Sequence, residues 1–496
     1  MKVFSSEKIK EIDRLTCVEE GIKSIDLMER ASKNWVNTFK SDFPEIKRVI
    51  VFCGLGNNGG DGLAIARLLK TQKVEVRVVI LRYSETVSPD FLINEQLLQS
   101  VGLEVVNCPF ERFPELKEDE LIIDAILGNG INRPTDGIIK EVIQKINGAG
   151  NFVISVDLPS GLFGDLHTPK NNQVIKASRV YTFQFPKLAL FMPENGDFAP
   201  EFKVIDIGLP AALTDNFSAK AHYLTKDLIF PIWKPRAKFS YKNNFGHGLV
   251  IGGSIGMMGA PLIAAEACLR GGAGLVSGLM PNCGLKIFQT VLPQVMCLKH
   301  KNEEILKGVV PDLSKYTAIA IGPGMGTDPE TGGFLIEILN EGKVPMVLDA
   351  DALNLLAGIK DAQYPENTIL TPHEGELKGL IGTWLNDFDK IAKAQNFAVI
   401  NKIILIVKGA HTCVIDSNGE LFFNSTGNPS LAKAGSGDLL TGILLSFLCQ
   451  GESAIISSKK AVLLHGLLAD KATESSSEHG IVIQDLMKQL SEAENF

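Results

Sequence analysis

The sequence predicts two successive α/β domains, each a parallel sheet wrapped by helices, and three observations predict it. Short β-rich runs alternate with helix-spaced segments through both halves of the chain. The alternation lapses once, near residues 212–225, where periodicity is lost. The halves share no motif and no fixed repeat, so they read as two different enzymes joined end to end. We place the domains at residues 1–215 and 225–496, the second the larger.

In chain order, residues 7–40 carry apolar positions at helical spacing (Ile9, Ile12, Leu15, then Leu27, Met28, Ala31, Trp35), interrupted at Gly21, so two helices open the chain. Runs at 49–53, 76–81, 121–125 and 152–156 read as strands, with 54–61 as a loop and 62–70 as a helix. After a polar, basic, proline-containing stretch at 234–241, strands restart at 249–251, 275–279, 318–321, 346–348 and 403–407.

With 45% hydrophobic and 21% charged residues in 496, the chain can bury substantial cores. A net charge of -8 with no dense Lys/Arg run argues against a nucleic-acid partner. The eight cysteines are widely spaced and form no C-x-x-C pair, which predicts reduced thiols rather than a zinc site or redox dithiol. The N-terminus lacks a signal-peptide core, and apolar stretches such as 442–449 fall short of the ~20 residues that span a bilayer. We therefore expect a cytoplasmic enzyme without membrane association.

In the second half, Gly435-Ser436-Gly437-Asp438 precedes the apolar run 439–448, so glycines stand where a helix begins. Amide N–H groups at such a start, backed by the helix dipole, form an anion site, and glycines let a phosphate come close. Asp438, in the first turn, could accept a proton from a substrate hydroxyl. Alone, it also reads as a residue favoured there by the helix dipole.

The surrounding blocks decide between these. The segment resembles the glycine-rich anion hole of the ribokinase-like superfamily, and more narrowly the ADP/ATP-dependent NAD(P)H-hydrate dehydratases. Supporting blocks are Gly246-His247-Gly248-Leu249-Val250-Ile251-Gly252-Gly253-Ser254, Gly259-Ala260-Pro261, Ile321-Gly322-Pro323-Gly324-Met325-Gly326, Leu348-Asp349-Ala350-Asp351-Ala352-Leu353, Leu370-Thr371-Pro372-His373-Glu374-Gly375-Glu376 and Lys408-Gly409-Ala410-His411-Thr412. Coverage is roughly residues 225–490. The resemblance implies a hydrate pocket at Ala260, Gly324, His373 and Asp438. It implies a nucleotide site at Lys408, Gly409, Ala410, His411, Thr412 and Gly437, with Asp438 as the catalytic base. Glu374 departs from a proline common in the family, and Tyr241-Lys242-Asn243 from a frequent His-Lys-Gly.

In the first half, Gly54, Gly56 and Gly59 satisfy G-x-G-x-x-G between a strand and a helix, a Rossmann-like arrangement. A dinucleotide turn also wants an acid about 20 residues on, whereas the next strand ends Ile80-Leu81-Arg82-Tyr83. Asp61 would repel a pyrophosphate at the helix start. The block Asn57-Asn58-Gly59-Gly60-Asp61 resembles instead the NAD(P)H-hydrate epimerases. Leu27-Met28-Glu29, Ile123-Asp124-Ala125-Ile126-Leu127-Gly128-Asn129-Gly130 and Val156-Asp157-Leu158-Pro159-Ser160-Gly161 support it, over roughly residues 1–212.

This second resemblance implies substrate contacts from Asn57, Asn58, Gly59, Gly60, Asp61, Gly128, Asn129, Gly130, Ile131, Asn132, Arg133, Pro134 and Asp157, with Asp157 the acid/base. It implies potassium at Asn58, Asp124 and Ser160, whose oxygen donors suit a hard monovalent cation.

The two resemblances together imply a Rossmann-like α/β/α domain followed by a larger ribokinase-like α/β/α domain. The expected activity is a bifunctional repair: epimerisation of R and S NAD(P)H hydrate, then dehydration of the S form. ADP is the expected co-substrate, giving AMP and phosphate, with ATP open as the alternative and magnesium on the nucleotide. A homo-oligomer, tetramer or larger, is expected. A vitamin or sugar kinase and a nucleotide-sensing binding protein are the competing readings.

Overall fold

The chain divides into two compact units, Met1–Ala221 with Asn386–Phe388, and His222–Leu385 with Asp389–Phe496. The computed structural model describes residues 1–108, 113–228, 230–359 and 362–495.

The first unit opens with a short strand β1 (Lys2–Val3) and the helices α1 (Ser6–Glu20) and α2 (Ser24–Asp42). Ser5 caps α1, its Oγ accepting from Lys8 N at 3.3 Å, and Gly21 ends the helix at φ 67°, left-handed backbone that glycine adopts without a Cβ clash. Next come β2 (Arg48–Cys53), α3 (Asn57–Thr71), β3 (Glu75–Leu81), α4 (Pro89–Gln99), β4 (Glu104–Cys108), β5 (Leu121–Ala125), α5 (Gly137–Ala149) and β6 (Val153–Val156). The unit continues with β7 (Arg179–Phe183), β8 (Phe202–Ile205) and α6 (Ala211–Asp215).

The seven-stranded sheet runs β4-β3-β2-β5-β6-β7-β8, every neighbouring pair parallel. The chain builds outward from β2 to one edge and then returns to the other side, so the topological switch lies between β2 and β5. Residues alternate between faces. Val49, Val51 and Cys53 join the core that holds α1 to α4, while Ile50 and Phe52 join the opposite core with Val142 and Ile143 of α5.

One boundary differs from expectation. Residues 57–61, read from sequence as loop, are the opening of α3, whose first i→i−4 bond runs from Gly60 N to Gly56 O at 3.0 Å. Glycine's poor helix propensity is overridden by packing. A Cβ on Gly59 would sit 1.9 Å from Gly54 O, and one on Gly62 2.5 Å from the Ala125 side chain, so only glycine lets the helix lie this close to the sheet.

The second unit contains β9 (Ala221–Leu224), β10 (His247–Ile251), α7 (Gly259–Arg270), β11 (Leu275–Leu279), α8 (Leu285–Val291), β12 (Met296–Leu298), β13 (Ala318–Ile321), α9 (Pro329–Glu341), β14 (Met346–Leu348), α10 (Asp351–Ala357), β15 (Thr368–Leu370), α11 (Glu374–Ile381) and α12 (Asp387–Asn401). It ends with β16 (Ile404–Val407), β17 (Cys413–Ile415), β18 (Leu421–Asn424), α13 (Ser436–Cys449), α14 (Ala454–Thr473) and α15 (Ile483–Glu492). Its strands are ordered β9-β18-β17-β16-β15-β14-β13-β10-β11-β12, parallel except where β17 pairs antiparallel with β16 and β18. The switch falls between β10 and β13.

Val250, Ala320, Val347 and Ile406 face a core shared with α7, α13, α14 and α15, and the alternate residues Leu249, Ile319, Leu348 and Leu405 are buried too. Every residue of α13 from 439 to 449 is buried, so the apolar run seen in the sequence is an internal helix. Gly442 permits its packing: a Cβ there would lie 2.3 Å from Ala264 O on α7. No helix among the described residues is long and apolar enough to cross a membrane.

Candidate active sites

In the first unit a cavity of about 670 Å³ opens where β2, β5 and β6 end, a size typical of ligand sites. Asn57, Asn58, Asp61, Gly128, Asn129, Gly130, Ile131 and Asp157 line it, together with one face of α1. Gly59 and Gly60 are buried within α3, and Asn132, Arg133 and Pro134 are exposed on the loop beyond, so these five do not form the wall.

Asp157 follows β6 directly and holds φ 70°, a value aspartate tolerates better than most residues. Its Oδ1 accepts from Thr182 Oγ1 and Phe183 N, both at 3.2 Å, and from the ammonium of Lys187. Lys187 is 3% exposed and also donates to Thr182 Oγ1 at 2.8 Å. A buried ammonium is thus fixed against the candidate acid/base, a residue that sequence reasoning missed. Lys187 lies outside every quoted motif, and no periodicity marks it.

Two more carboxyls face this pair. Burial pushes the Asp13 carboxyl of α1 up to about 6, with Lys187 opposing and Asp157 adding to the rise. Burial, then Asp157, Asp13 and Asp90, hold Asp61 well above the carboxylate range. The cavity therefore sets two carboxyls raised by burial beside the paired lysine.

The three oxygen donors expected for potassium lie at the switch point. Asp124 is fully buried, its Oδ2 accepting from Ser155 Oγ at 2.7 Å and Ser160 N at 2.9 Å, its Oδ1 from Ser160 Oγ and from Ile126 N at 3.3 Å. Burial raises its carboxyl despite these bonds. Leu127 N donates to Ser160 Oγ at 2.8 Å, and a Cβ on Gly128 would lie 3.0 Å from Asn58. Asn58 Nδ2 is buried and has no hydrogen-bond partner among the described residues.

In the second unit the loops after β10 and β13 meet at the switch. Gly253 N donates to Pro323 O and Ser254 Oγ to Gly324 O, each at 2.9 Å. Gly324 holds φ 59°, and a Cβ on it would be 2.5 Å from Met257 O and 3.4 Å from the Ala260 side chain, so the two predicted pocket residues are neighbours. Gly326 N donates to Asp351 Oδ2 at 2.9 Å, which ties this loop to the end of β14.

There the chain is strained. Ala350 adopts φ 48°, ψ −121°, a region non-glycine residues avoid, between Asp349 and Asp351. Asp349, 2% exposed, accepts from Lys408 Nζ at 2.9 Å and from Thr441 Oγ1 of α13 at 2.8 Å. Burial alone would raise this carboxyl, but the Lys408 charge and the hydrogen bonds outweigh it and hold it low. Gly437 stands against the pair: a Cβ on it would be 3.5 Å from both Asp349 Oδ2 and Lys408 Nζ.

Gly435 starts α13 at φ 89°, which turns the first amides of the helix outward. Ser436 Oγ lies 3.1 Å from His465 Nε2, and burial pushes that ring down to about 4, so it is neutral. Asp438 has no hydrogen-bond partner among the described residues. Burial, with Asp349 and Asp351 adding and Lys408 opposing, pushes its carboxyl up to about 6. That is the range of a base that works near neutral pH.

Lys408 also lies 3.8 Å from Glu376, whose Oε1 is 3.2 Å from His373 Nε2. His373 caps α11, its Nδ1 accepting from Gly375 N at 3.0 Å and Glu376 N at 3.2 Å, and its ring stays largely exposed. Gly409 and Thr412 close a turn, Thr412 Oγ1 donating to Gly409 O at 3.0 Å, whereas His411 Nδ1 faces Asn424 O at 3.1 Å. Asp349 and Glu376 stand in quoted motifs but received no role from the sequence. Their function as partners of Lys408 depends on distances that spacing does not reveal.

Residues 248–492 match the family model of NAD(P)H-hydrate dehydratase, and residues 24–189 match that of the YjeF-related protein N-terminus. The chain is similar to the bifunctional NAD(P)H-hydrate repair enzyme Nnr of Coxiella burnetii, 33% identical with 98% of each chain covered. It is equally similar to that of Moorella thermoacetica, 33% identical over 98% of this chain and 95% of the relative. Among solved structures, an ADP/ATP-dependent NAD(P)H-hydrate dehydratase from Bacillus subtilis, co-crystallised with ATP and Mg²⁺, is 28% identical and spans 55% of this chain and 99% of its own, with a TM-score of 0.48.

Proposed function

The chain belongs to the bifunctional NAD(P)H-hydrate repair enzymes, and from that premise we propose how its residues divide the work. Its first domain is the epimerase and its second the ADP/ATP-dependent dehydratase.

In the epimerase, Asp157 takes the proton of the C6 hydroxyl as the C6–oxygen bond becomes an aldehyde carbonyl and the electron pair of the opening C6–N bond passes to the ring nitrogen, which is conjugated with the carboxamide. It returns the proton when the ring recloses on the other face. Lys187 holds that carboxylate in place. Asn58, Asp124 and Ser160 would hold potassium: the donor set is oxygen and only one member is charged. The ion would supply a fixed positive charge beside an anionic substrate.

In the dehydratase, Asp438 removes the C6 hydroxyl proton of the S hydrate while that oxygen attacks the terminal phosphoryl of the nucleotide. ADP then leaves as AMP. The C6–O bond breaks with phosphate as leaving group, the ring nitrogen supplies the electron pair, and loss of a C5 proton restores NAD(P)H. The amides at the start of α13, with Lys408, stabilise charge on the moving phosphoryl group, an effect worth ~10²–10³ per donor. Among the described residues no group of three or more His, Cys, Asp or Glu could hold a metal. Magnesium would enter on the nucleotide phosphates with its waters.

One observation carries this reading: an aspartate with no hydrogen-bond partner among the described residues, raised to about 6, stands in the first turn of a glycine-started helix, one residue beyond a glycine packed against Lys408. Incubating the chain with S-NADH hydrate and ADP should restore NADH absorbance and release AMP and phosphate. No recovery refutes the repair reading, and recovery with ATP alone, releasing ADP, replaces the donor.

A further inference from the structure

The hydrate that enters the first cavity is a dinucleotide, and its pyrophosphate brings two negative charges. The cavity is poorly suited to them at first sight. Its wall holds four carboxyls, Asp13, Asp61, Asp90 and Asp157, against three cations, Lys10, Arg14 and Lys187. Lys187 is committed to Asp157 and buried behind it. Lys10 and Arg14 are the wall's remaining side-chain cations.

Both stand on the face of α1 that lines the cavity, at i and i+4, on the stripe that also carries Ser6 and Asp13. Ser6 Oγ is hydrogen-bonded to Asn129 Oδ1, which docks the first turn of α1 onto the loop of Gly128, Asn129 and Gly130. One turn further, a Cβ on Gly130 would lie 3.2 Å from Lys10 Nζ, so the ammonium sits directly over that loop. Neither Lys10 nor Arg14 has an ion-pair or hydrogen-bond partner among the described residues. Lys8 on the same helix is paired with Glu11, and Arg30 on the next helix with Glu20.

We propose that Lys10 and Arg14 are the pyrophosphate clamp of the epimerase, gripping the dinucleotide from α1 across the Gly128 loop. The inference rests on the epimerase reading above and adds a binding role for a helix whose residues carry none. Helix geometry selects the pyrophosphate over the adenosine 2′-phosphate. Lys10 precedes Asp13 by three residues, about 4.5 Å along the axis, which places the cation one turn from the proton-handling end. A pyrophosphate is joined to the nicotinamide through a single ribose, whereas the 2′-phosphate lies beyond the whole diphosphate. The clamp therefore does not discriminate between NADH and NADPH hydrates.

The test is the full chain with R-enriched NADH hydrate and, separately, R-enriched NADPH hydrate, comparing wild type, Lys10→Ala, Lys10→Arg and Arg14→Ala. Loss of one charge-assisted contact should raise KM roughly tenfold for both hydrates with kcat little changed. Lys10→Arg should restore most of the affinity. Added salt should raise the wild-type KM more than that of the alanine variants. Dehydration of pure S hydrate, carried out by the second domain, should not change, and an unchanged melting transition of the first domain controls for folding. A KM rise confined to NADPH hydrate overturns the assignment in favour of the 2′-phosphate. A fall in kcat at constant KM overturns it in favour of a role in the chemistry, and an unchanged KM removes the clamp alone. If wild-type chain fails to consume R hydrate faster than its spontaneous epimerisation, the epimerase reading falls and the clamp with it.

Discussion

Asp157 and Asp438 each stand at the carboxyl-end crevice of a parallel sheet, and each has a positive-φ residue at the strand end that shapes its site: Asp157 itself at 70°, and Ala350 at 48° in the second. Their surroundings differ. Asp157 accepts three protein hydrogen bonds, one from a buried lysine, whereas Asp438 has no hydrogen-bond partner among the described residues and lies in the field of Asp349, Asp351 and Lys408. The difference matches the chemistry proposed for each. An epimerisation hands a proton out and takes it back, so its carboxyl gains from a partner that holds position through both half-reactions. A dehydration driven by phosphoryl transfer removes a hydroxyl proton once, and a base raised toward neutral pH takes it more readily.

The largest effect that could break this contrast is on Asp438. Asp438→Asn should lower dehydratase kcat by ~10²–10⁴ while R-to-S epimerisation proceeds at the wild-type rate, read as NADH absorbance with ADP and as loss of R hydrate by chromatography. AMP release that persists at the wild-type rate would show that Asp438 is not the base.

Next in size is Lys187→Met. Because Lys187 is 3% and Asp157 13% exposed, removing the lysine strands a carboxylate in the wall. Breaking a buried pair typically costs about 3–5 kcal/mol, so the first domain should melt earlier and epimerisation should fall about 100-fold or more, within the general-base range. S-hydrate dehydration should continue. Epimerisation that survives intact would show that Asp157 needs no partner.

Much of both sites was legible because glycine loops and strand-end acids are local. Asn57, Asn58, Asp61, Gly128 and Asp157 were read from motifs and do share one cavity, and Ala260 and Gly324 are neighbours. What stayed hidden is long-range. Lys187 reaches Asp157 across 30 residues, and Asp349 meets Thr441 across 92. No spacing rule connects such positions, because the sheet order does. Strands β12, β15 and β17, three residues each, went unread although β15 lies inside the sheet and β14, of the same length, was read. Residues 57–61 misled for a physical reason, since their glycines signal a loop by propensity and a close helix–sheet contact by packing.

A smaller effect sharpens the electrostatic half of the contrast. Asp349 and Asp351 push Asp438 up, Lys408 pulls it down, and Glu376 lies beside Lys408. Asp349→Asn removes one upward push, so the acid limb of the dehydratase kcat/KM profile should move from about pH 6 to lower pH. The epimerase profile should stay where it is. A limb that does not move would leave burial and Asp351 as the causes of the rise.

The smallest effect is on stability, and its sign is the opposite of the usual one for a lost functional residue. The Asp438 carboxyl lies at about 6 in the folded chain against 3.8 when unfolded, so the folded state binds the proton more tightly. Below pH 4 both states are protonated and the group costs nothing. Between pH 4 and 6 the unfolded chain gives up its proton first, and the cost grows. Above pH 6 it is complete, on the order of 3 kcal/mol at 1.36 kcal/mol per unit. Asp438→Asn removes an ionisable group at nearly constant shape, so the inactive variant should unfold at higher temperature than wild type at pH 7.5, with the gap closing by pH 4. Thermal unfolding of the second domain's transition at both pH values measures it. A variant no more stable at pH 7.5 would mean that Asp438 is charged without cost. The difference between the two carboxyls would then lie only in their hydrogen bonds.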